Sequence, residues 1–171
     1  FSRTISVILL DATKQLRFPD NSFDYVFSEH MIEHISFLDG QKMLAECYRI
    51  LKPGGKLRIV TPDLASLIDL YRQDKSPLQR DYIDWSTRQF GASAPVAYDT
   101  FVINSLIREW GHLFIYDEKA LRLSLEQLGF KQLKLCKIGW SDDENLRCLE
   151  NETRMPDGFL QLESLTVEAT K

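Results

Sequence analysis

The chain has 171 residues, 44% of them hydrophobic and 27% charged, and a formal net charge of -4. Such a composition is that of one ordinary folded domain, long enough to bury about two-thirds of the surface its unfolded chain exposes. A negative balance with no basic run argues against a nucleic-acid partner. No apolar run approaches the ~20 residues that span a bilayer and no signal-peptide pattern opens the chain, so the expectation is a cytoplasmic protein without a membrane partner.

In chain order, Ile5 to Leu10 is a continuous apolar run of strand length, ending at Asp11-Ala12-Thr13. Its pattern predicts a buried strand followed by a turn in which Asp11 can cap local amides. The turn cluster Asp20-Asn21-Ser22 hands over to Phe23, Tyr25, Val26 and Phe27, which predict a second strand buried on both faces. Polar chemistry then begins abruptly at Ser28, Glu29 and His30, where an open α/β sheet would place a site. Asp39 can cap a helix in which Met43, Leu44, Cys47, Ile50 and Leu51 recur at helical spacing. Lys52-Pro53-Gly54-Gly55 stops that helix, and Leu57, Ile59 and Val60 begin a strand that ends at Thr61-Pro62-Asp63. Strand, helix and strand make one βαβ unit with a right-handed crossover.

Beyond it, Leu64, Leu67, Ile68 and Tyr71 predict one helix face. Residues 73–111 are polar and aromatic (Tyr82, Trp85, Phe90, Tyr98, Phe101, Trp110) and longer than a crossover helix requires. They are expected to form a helical cap over the strand ends or an arm pairing two chains, which makes a homodimer a partner expectation. Asp117 caps a helix from Glu118 to Leu128 that closes at Gly129. Leu133, Leu135, Cys136 and Ile138 predict a strand, and Leu165, Val167 and Ala169 a final one. Between them SDDENLRCLENETRMPDG reads as a solvated surface. Cys47, Cys136 and Cys148 have no paired spacing and read as reduced thiols.

The run FPDNSFDYVFSEHMIEH, a helix ending in RILKPGG, and the strand LRIVTPD, with WGHLFIYDE later, resemble the middle of a class I S-adenosylmethionine-dependent methyltransferase of the type 11 sort. The closest likeness is to methyltransferases of unassigned substrate. The resemblance implies a Rossmann-like sheet with helices on both faces and a C-terminal antiparallel hairpin, in a single domain spanning 1–171. It also implies S-adenosylmethionine as cofactor and a small-molecule or glycan-type acceptor as partner. It places Asp11 and Ala12 at the adenine, Ser28 and Glu29 at the methionine part, and His30 near the acceptor as first choice for a general base, with Glu29 and His112 behind it. Glu33 and His34 are expected to support the start of a helix. No G-x-G pattern occurs, so the first βαβ portion of that fold, with its glycine-rich loop, is expected to be lacking and the chain to be a truncated form. Two other functions compete. One is a non-catalytic scaffold or partner-binding domain. The other is a zinc hydrolase, because His30-Met31-Ile32-Glu33-His34 matches H-x-x-E-H. A buried strand before that motif and a KPGG-stopped helix after it oppose zinc, and the site is read without a metal.

Overall fold

The computed structural model describes residues 7–91 and 94–171. Among them a four-stranded sheet runs in the order β1-β2-β4-β3. It comprises β1 (Phe23–Glu29), β2 (Leu51–Pro62), β3 (Lys131–Leu135) and β4 (Ser164–Thr170). β1 and β2 are parallel through the helix α1 (Phe37–Ile50), the expected βαβ unit, and β4 pairs antiparallel with both β2 and β3. The C-terminal antiparallel pair and the mixed α/β sheet agree with the sequence expectation.

Strand alternation sorts the sheet's two faces. Val26, Leu57, Ile59, Leu165 and Val167 share one face, where they pack with Met43, Leu44 and Cys47 of α1 and with Leu121 and Leu125 of α5 (Glu118–Gln127). Burial in this layer pushes the Cys47 thiol up to about 12, as suits an inert packing residue. Ser36, and not Asp39, caps α1: its hydroxyl accepts from the Asp39 amide and donates to the Asp39 carboxylate. After Ile50 the chain enters β2 directly, and Gly54 takes φ of +78° to turn KPGG into the ladder.

The opposite face refines a reading. The charged segment between β3 and β4 is largely exposed, as expected of a solvated surface, but its Ser141, Leu146 and Glu150 are buried and the segment covers this face. Its anchor is Arg58 of β2, which is fully buried. Arg58 Nε donates to Glu150 Oε1 at 2.6 Å and one terminal nitrogen donates to Glu168 Oε1 at 2.5 Å. The remaining guanidinium donors meet the carbonyls of Trp140 and Lys137, and Glu150 Oε2 accepts from the Gly139 amide. Nearby, Lys56 donates to Asp143 Oδ2, as does the Tyr25 hydroxyl.

Two strand expectations also change. Val7 to Leu10 form no strand and are exposed, Val7 and Leu9 almost completely, while Ile5 lies outside the described residues. No strand among the described residues offers them a ladder, so their apolar sequence cannot be expressed as a buried strand. For the same reason β1 stands at an edge and is only partly covered, instead of being buried on both faces.

Beyond β2, α2 (Leu64–Leu70), α3 (Pro77–Phe90), α4 (Asp99–Arg108) and α6 (Phe159–Glu163) pack a second cluster around Leu67, Leu70, Tyr82, Ile83, Val102 and Phe159. Ile68 and Tyr71, expected on the packed face of α2, are exposed, and Leu70 is buried instead. Among the described residues, no helix is long and apolar enough to cross a membrane.

Candidate functional site

The site begins where β1 ends. His30 continues the ladder, donating its amide to the Val60 carbonyl at 2.8 Å, and then turns with φ of +45°. That left-handed step is uncommon for a side-chain-bearing residue and redirects the ring from the strand's alternation. Glu29, one residue earlier, faces the Arg58 side, where both its carboxylate oxygens stand within 3.3 Å of the Asn151 amide. His30 turns instead into a cavity of about 350 Å³.

A short 3₁₀ turn, Ile32–His34, follows. It buries Glu33 completely. Glu33 Oε2 accepts from the Thr61 hydroxyl at 3.0 Å. Glu33 Oε1 stands 3.3 Å from His30 Nδ1 and 3.9 Å from His34 Nε2, at ion-pair distance, yet no donor is aligned to hydrogen-bond it. Burial works to raise this carboxyl. The His30 ring, the local backbone and Thr61 outweigh burial and hold the group below its ordinary value. His30 Nε2 lies 3.1 Å from Ser164 Oγ, so the ring is held from both sides.

His112 reaches the same place from far along the chain. Trp110 and Gly111 take consecutive left-handed conformations, with φ of +62° and +74°, and the Glu33 carbonyl accepts from the amides of Leu113 and Phe114. This docking sets the His112 ring 4.8 Å from the His34 ring, edge to face, with His112 Nδ1 against the Leu106 carbonyl. All three histidines of the chain therefore meet at Glu33.

The cavity's other wall is aromatic: Tyr82, Trp85 and Phe90 of α3, with Trp110. Tyr82 donates to Glu163 Oε2, and burial, with Glu163 beside it, pushes the phenol above its ordinary value. Arg154 faces the other oxygen of Glu163 at 3.8 Å. Sequence reasoning named His30 and His112, which the fold brings together, and noticed the aromatics of the 73–111 segment. It missed Glu163 and Arg154, for which no local pattern speaks, and understated Glu33.

Asp11, Ala12, Ser28 and Glu29 stand outside this cavity's lining. Asp11 is exposed and accepts from the Thr13 hydroxyl and amide; the hydroxyl bond is the main cause holding its carboxyl below the ordinary value. Ala12 packs against the main core. Ser28 Oγ is buried with no hydrogen-bond partner.

A four-stranded sheet with a parallel βαβ entry, an antiparallel final strand beside β2 and a polar cluster at the carboxyl end of β1 is a fold similar to that of solved S-adenosylmethionine-dependent methyltransferases. Residues 2–59 match the model of the Methyltransf_11 family, described as a methyltransferase domain. The chain is 46% identical over 135 residues to demethylmenaquinone methyltransferase of Listeria monocytogenes, covering 69% of this chain and 53% of that protein. Over 43 residues it is 54% identical to phosphoethanolamine N-methyltransferase 2 of Caenorhabditis elegans, 25% of this chain and 9% of that one. The chain thus spans only about half, or less, of the curated relatives it matches. Among solved structures, an S-adenosylmethionine-dependent methyltransferase of Archaeoglobus fulgidus superposes with a TM-score of 0.52 at 19% identity, over 96% of this chain and 66% of that one. One from Thermotoga maritima superposes with 0.53 at 18% identity, over 98% and 64%. These likenesses concern the fold.

Proposed function

We propose that the chain supplies the acceptor-facing part of an enzyme that transfers a methyl group from S-adenosylmethionine to a small molecule, with His30 as the general base. The observation that carries this reading is the His30 ring, held at a strand's carboxyl end between Glu33 and Ser164 and facing a cavity of single-ligand size. The buried, unpartnered Ser28 hydroxyl, two residues before His30 in the chain, fits a polar cofactor at the same strand end. Ser28 and Glu29, with Asp11 and Ala12 from the preceding loop, would hold that cofactor. When bound, it supplies a sulfonium methyl whose bond pair returns to sulfur as the acceptor's lone pair forms the new bond.

The chain's own residues then do three things. Glu33 orients His30 and favours the proton on Nδ1, which leaves Nε2 to accept the acceptor's proton. The aromatic wall gives an apolar, planar part of the acceptor a surface to lie on and keeps water from the reacting atoms. The helices of the 73–111 segment thereby act as a specificity cap. A relative named for demethylmenaquinone and one named for phosphoethanolamine both support a small-molecule acceptor over a glycan-type one.

The test is transfer of isotope-labelled methyl from the donor to a panel of hydroxyl- and amine-bearing aromatic acceptors by the complete enzyme. Labelled product with wild type, and loss of turnover without loss of donor affinity in His30→Ala, is expected. Full turnover in the variant would remove His30 from this role.

A further inference from the structure

Every histidine of the chain is spent on one buried carboxylate, and orienting a single base requires only one of them. We propose that Glu33, His34 and His112 form a binding site for a first-row divalent cation of zinc-like character, with its remaining coordination position open to the cavity.

Four observations support the site. Ligand atoms of the three side chains already lie within 4.8 Å of one another. Ligands ~2.0–2.2 Å from a zinc ion stand about 3.4 Å apart in a tetrahedron, so side-chain shifts of little over ~1 Å would close it. Second, Glu33 Oε1 is buried, faces the imidazoles and has no aligned hydrogen-bond donor, although its sister oxygen is bonded to Thr61. Buried polar atoms are seldom left so, and a bound ion is one of their regular explanations. Third, His112 Nδ1 rests against the Leu106 carbonyl, which fixes the ring proton there and leaves Nε2 as a ligand atom. That is the outer support that metal-binding histidines ordinarily carry. Fourth, the three groups are presented by backbone docked on itself, through the Glu33 carbonyl and the amides of Leu113 and Phe114, so the set is preorganised.

Two imidazoles and one carboxylate select zinc, cobalt or manganese over magnesium or calcium, which prefer all-oxygen sites. Three protein ligands with an open fourth position are the pattern of sites that bind a reacting molecule. One consequence rests on the methyl-transfer reading: a cation on this wall would hold an acceptor's oxygen and lower its pKa, which makes the acceptor a hydroxyl-bearing small molecule. The site differs from the H-x-x-E-H arrangement, because His30 is not a ligand and His112 takes its place.

Calorimetric titration of the chelator-stripped chain with Zn²⁺, Co²⁺ and Mg²⁺, in the absence of donor and acceptor, tests the site apart from methyl transfer. One equivalent of Zn²⁺ is expected, with Mg²⁺ much weaker, and Co²⁺ should develop visible bands of a low-coordinate nitrogen-ligated site. The double variant His34→Ala/His112→Ala should weaken Zn²⁺ binding by at least ~10–100-fold. Absence of stoichiometric Zn²⁺ binding, or equal binding by the double variant, would overturn the proposal. Should the double variant lose its far-ultraviolet circular dichroism, the wild-type Co²⁺ spectrum decides: no visible bands, no site. Metal binding without methyl transfer, or the reverse, separates a failure of this inference from a failure of the enzymatic one.

Discussion

The two faces of β2 each carry a buried acid, and the two acids live differently. Glu150 on one side has both oxygens bonded, to Arg58 and to the Gly139 amide, in a network that closes on itself. Glu33 on the other side has one oxygen bonded and one facing the His30 and His34 rings, with His112 close by and no donor aligned to it. A closed network holds a structure together, since its members leave nothing for a visitor to satisfy. An open one is tolerated where something else is to be bound. The comparison separates a stability element from a site without reference to any relative.

The largest expected effect comes from opening the closed network. Glu150→Ala leaves Arg58 fully buried with its charge incompletely answered and should cost ~3–5 kcal/mol, measured by urea denaturation; a loss under ~1 kcal/mol would show that water relieves the guanidinium. His30→Ala should lower turnover about 10²-fold while leaving donor affinity unchanged, read from kcat and a separate binding titration. Thr61→Val removes the one hydroxyl bonded to Glu33 and should destabilise by ~1–2 kcal/mol, moving the carboxylate's loss of stability into a range that thermal unfolding resolves. The smallest effect concerns Asp143, whose carboxyl the Lys56 ammonium, together with Asn145 and Tyr25, holds well below its ordinary value of 3.8. Because the folded value is depressed, its contribution is complete above that ordinary value and is lost as the pH falls through the folded one. Asp143→Asn should therefore flatten the acid limb of the stability curve, by less than about 1 kcal/mol since Lys56 is partly exposed. An unchanged acid limb would assign that limb to other carboxylates.

The βαβ unit was legible because its signals are local: a β-branched and aromatic run, helical spacing from Met43 to Ile50, and glycines where the chain must turn. The capping residue was misplaced by one turn's first step, since Ser36 and Asp39 both accept at a helix start and only geometry shows that the serine occupies the cap. The cover over Arg58 was illegible for a different reason. SDDENLRCLENETRMPDG has the composition of a solvated loop, and nothing local tells Glu150 from its acidic neighbours; only Arg58, a lone charge inside LRIV, hinted that a buried strand wanted a partner. Of the site, His30 could be placed from the strand end and His112 only as one of two equal readings, because their meeting depends on the Trp110-Gly111 turn and a backbone contact 80 residues away in sequence. Val7 to Leu10 show the converse: an apolar pattern names a strand, but pairing partners make one.

The chain's three tryptophans are divided between these regions. Trp85 and Trp110 stand in the cavity wall, while Trp140 lies beneath the Lys134 ammonium at 4.4 Å, on the far side where its carbonyl serves Arg58. The protein thus carries its own optical reporters. An occupant of the cavity must alter the emission of the first two and leave the third as an internal constant, so Trp140→Phe would isolate the signal of the site, and Trp85→Phe with Trp110→Phe that of the frame.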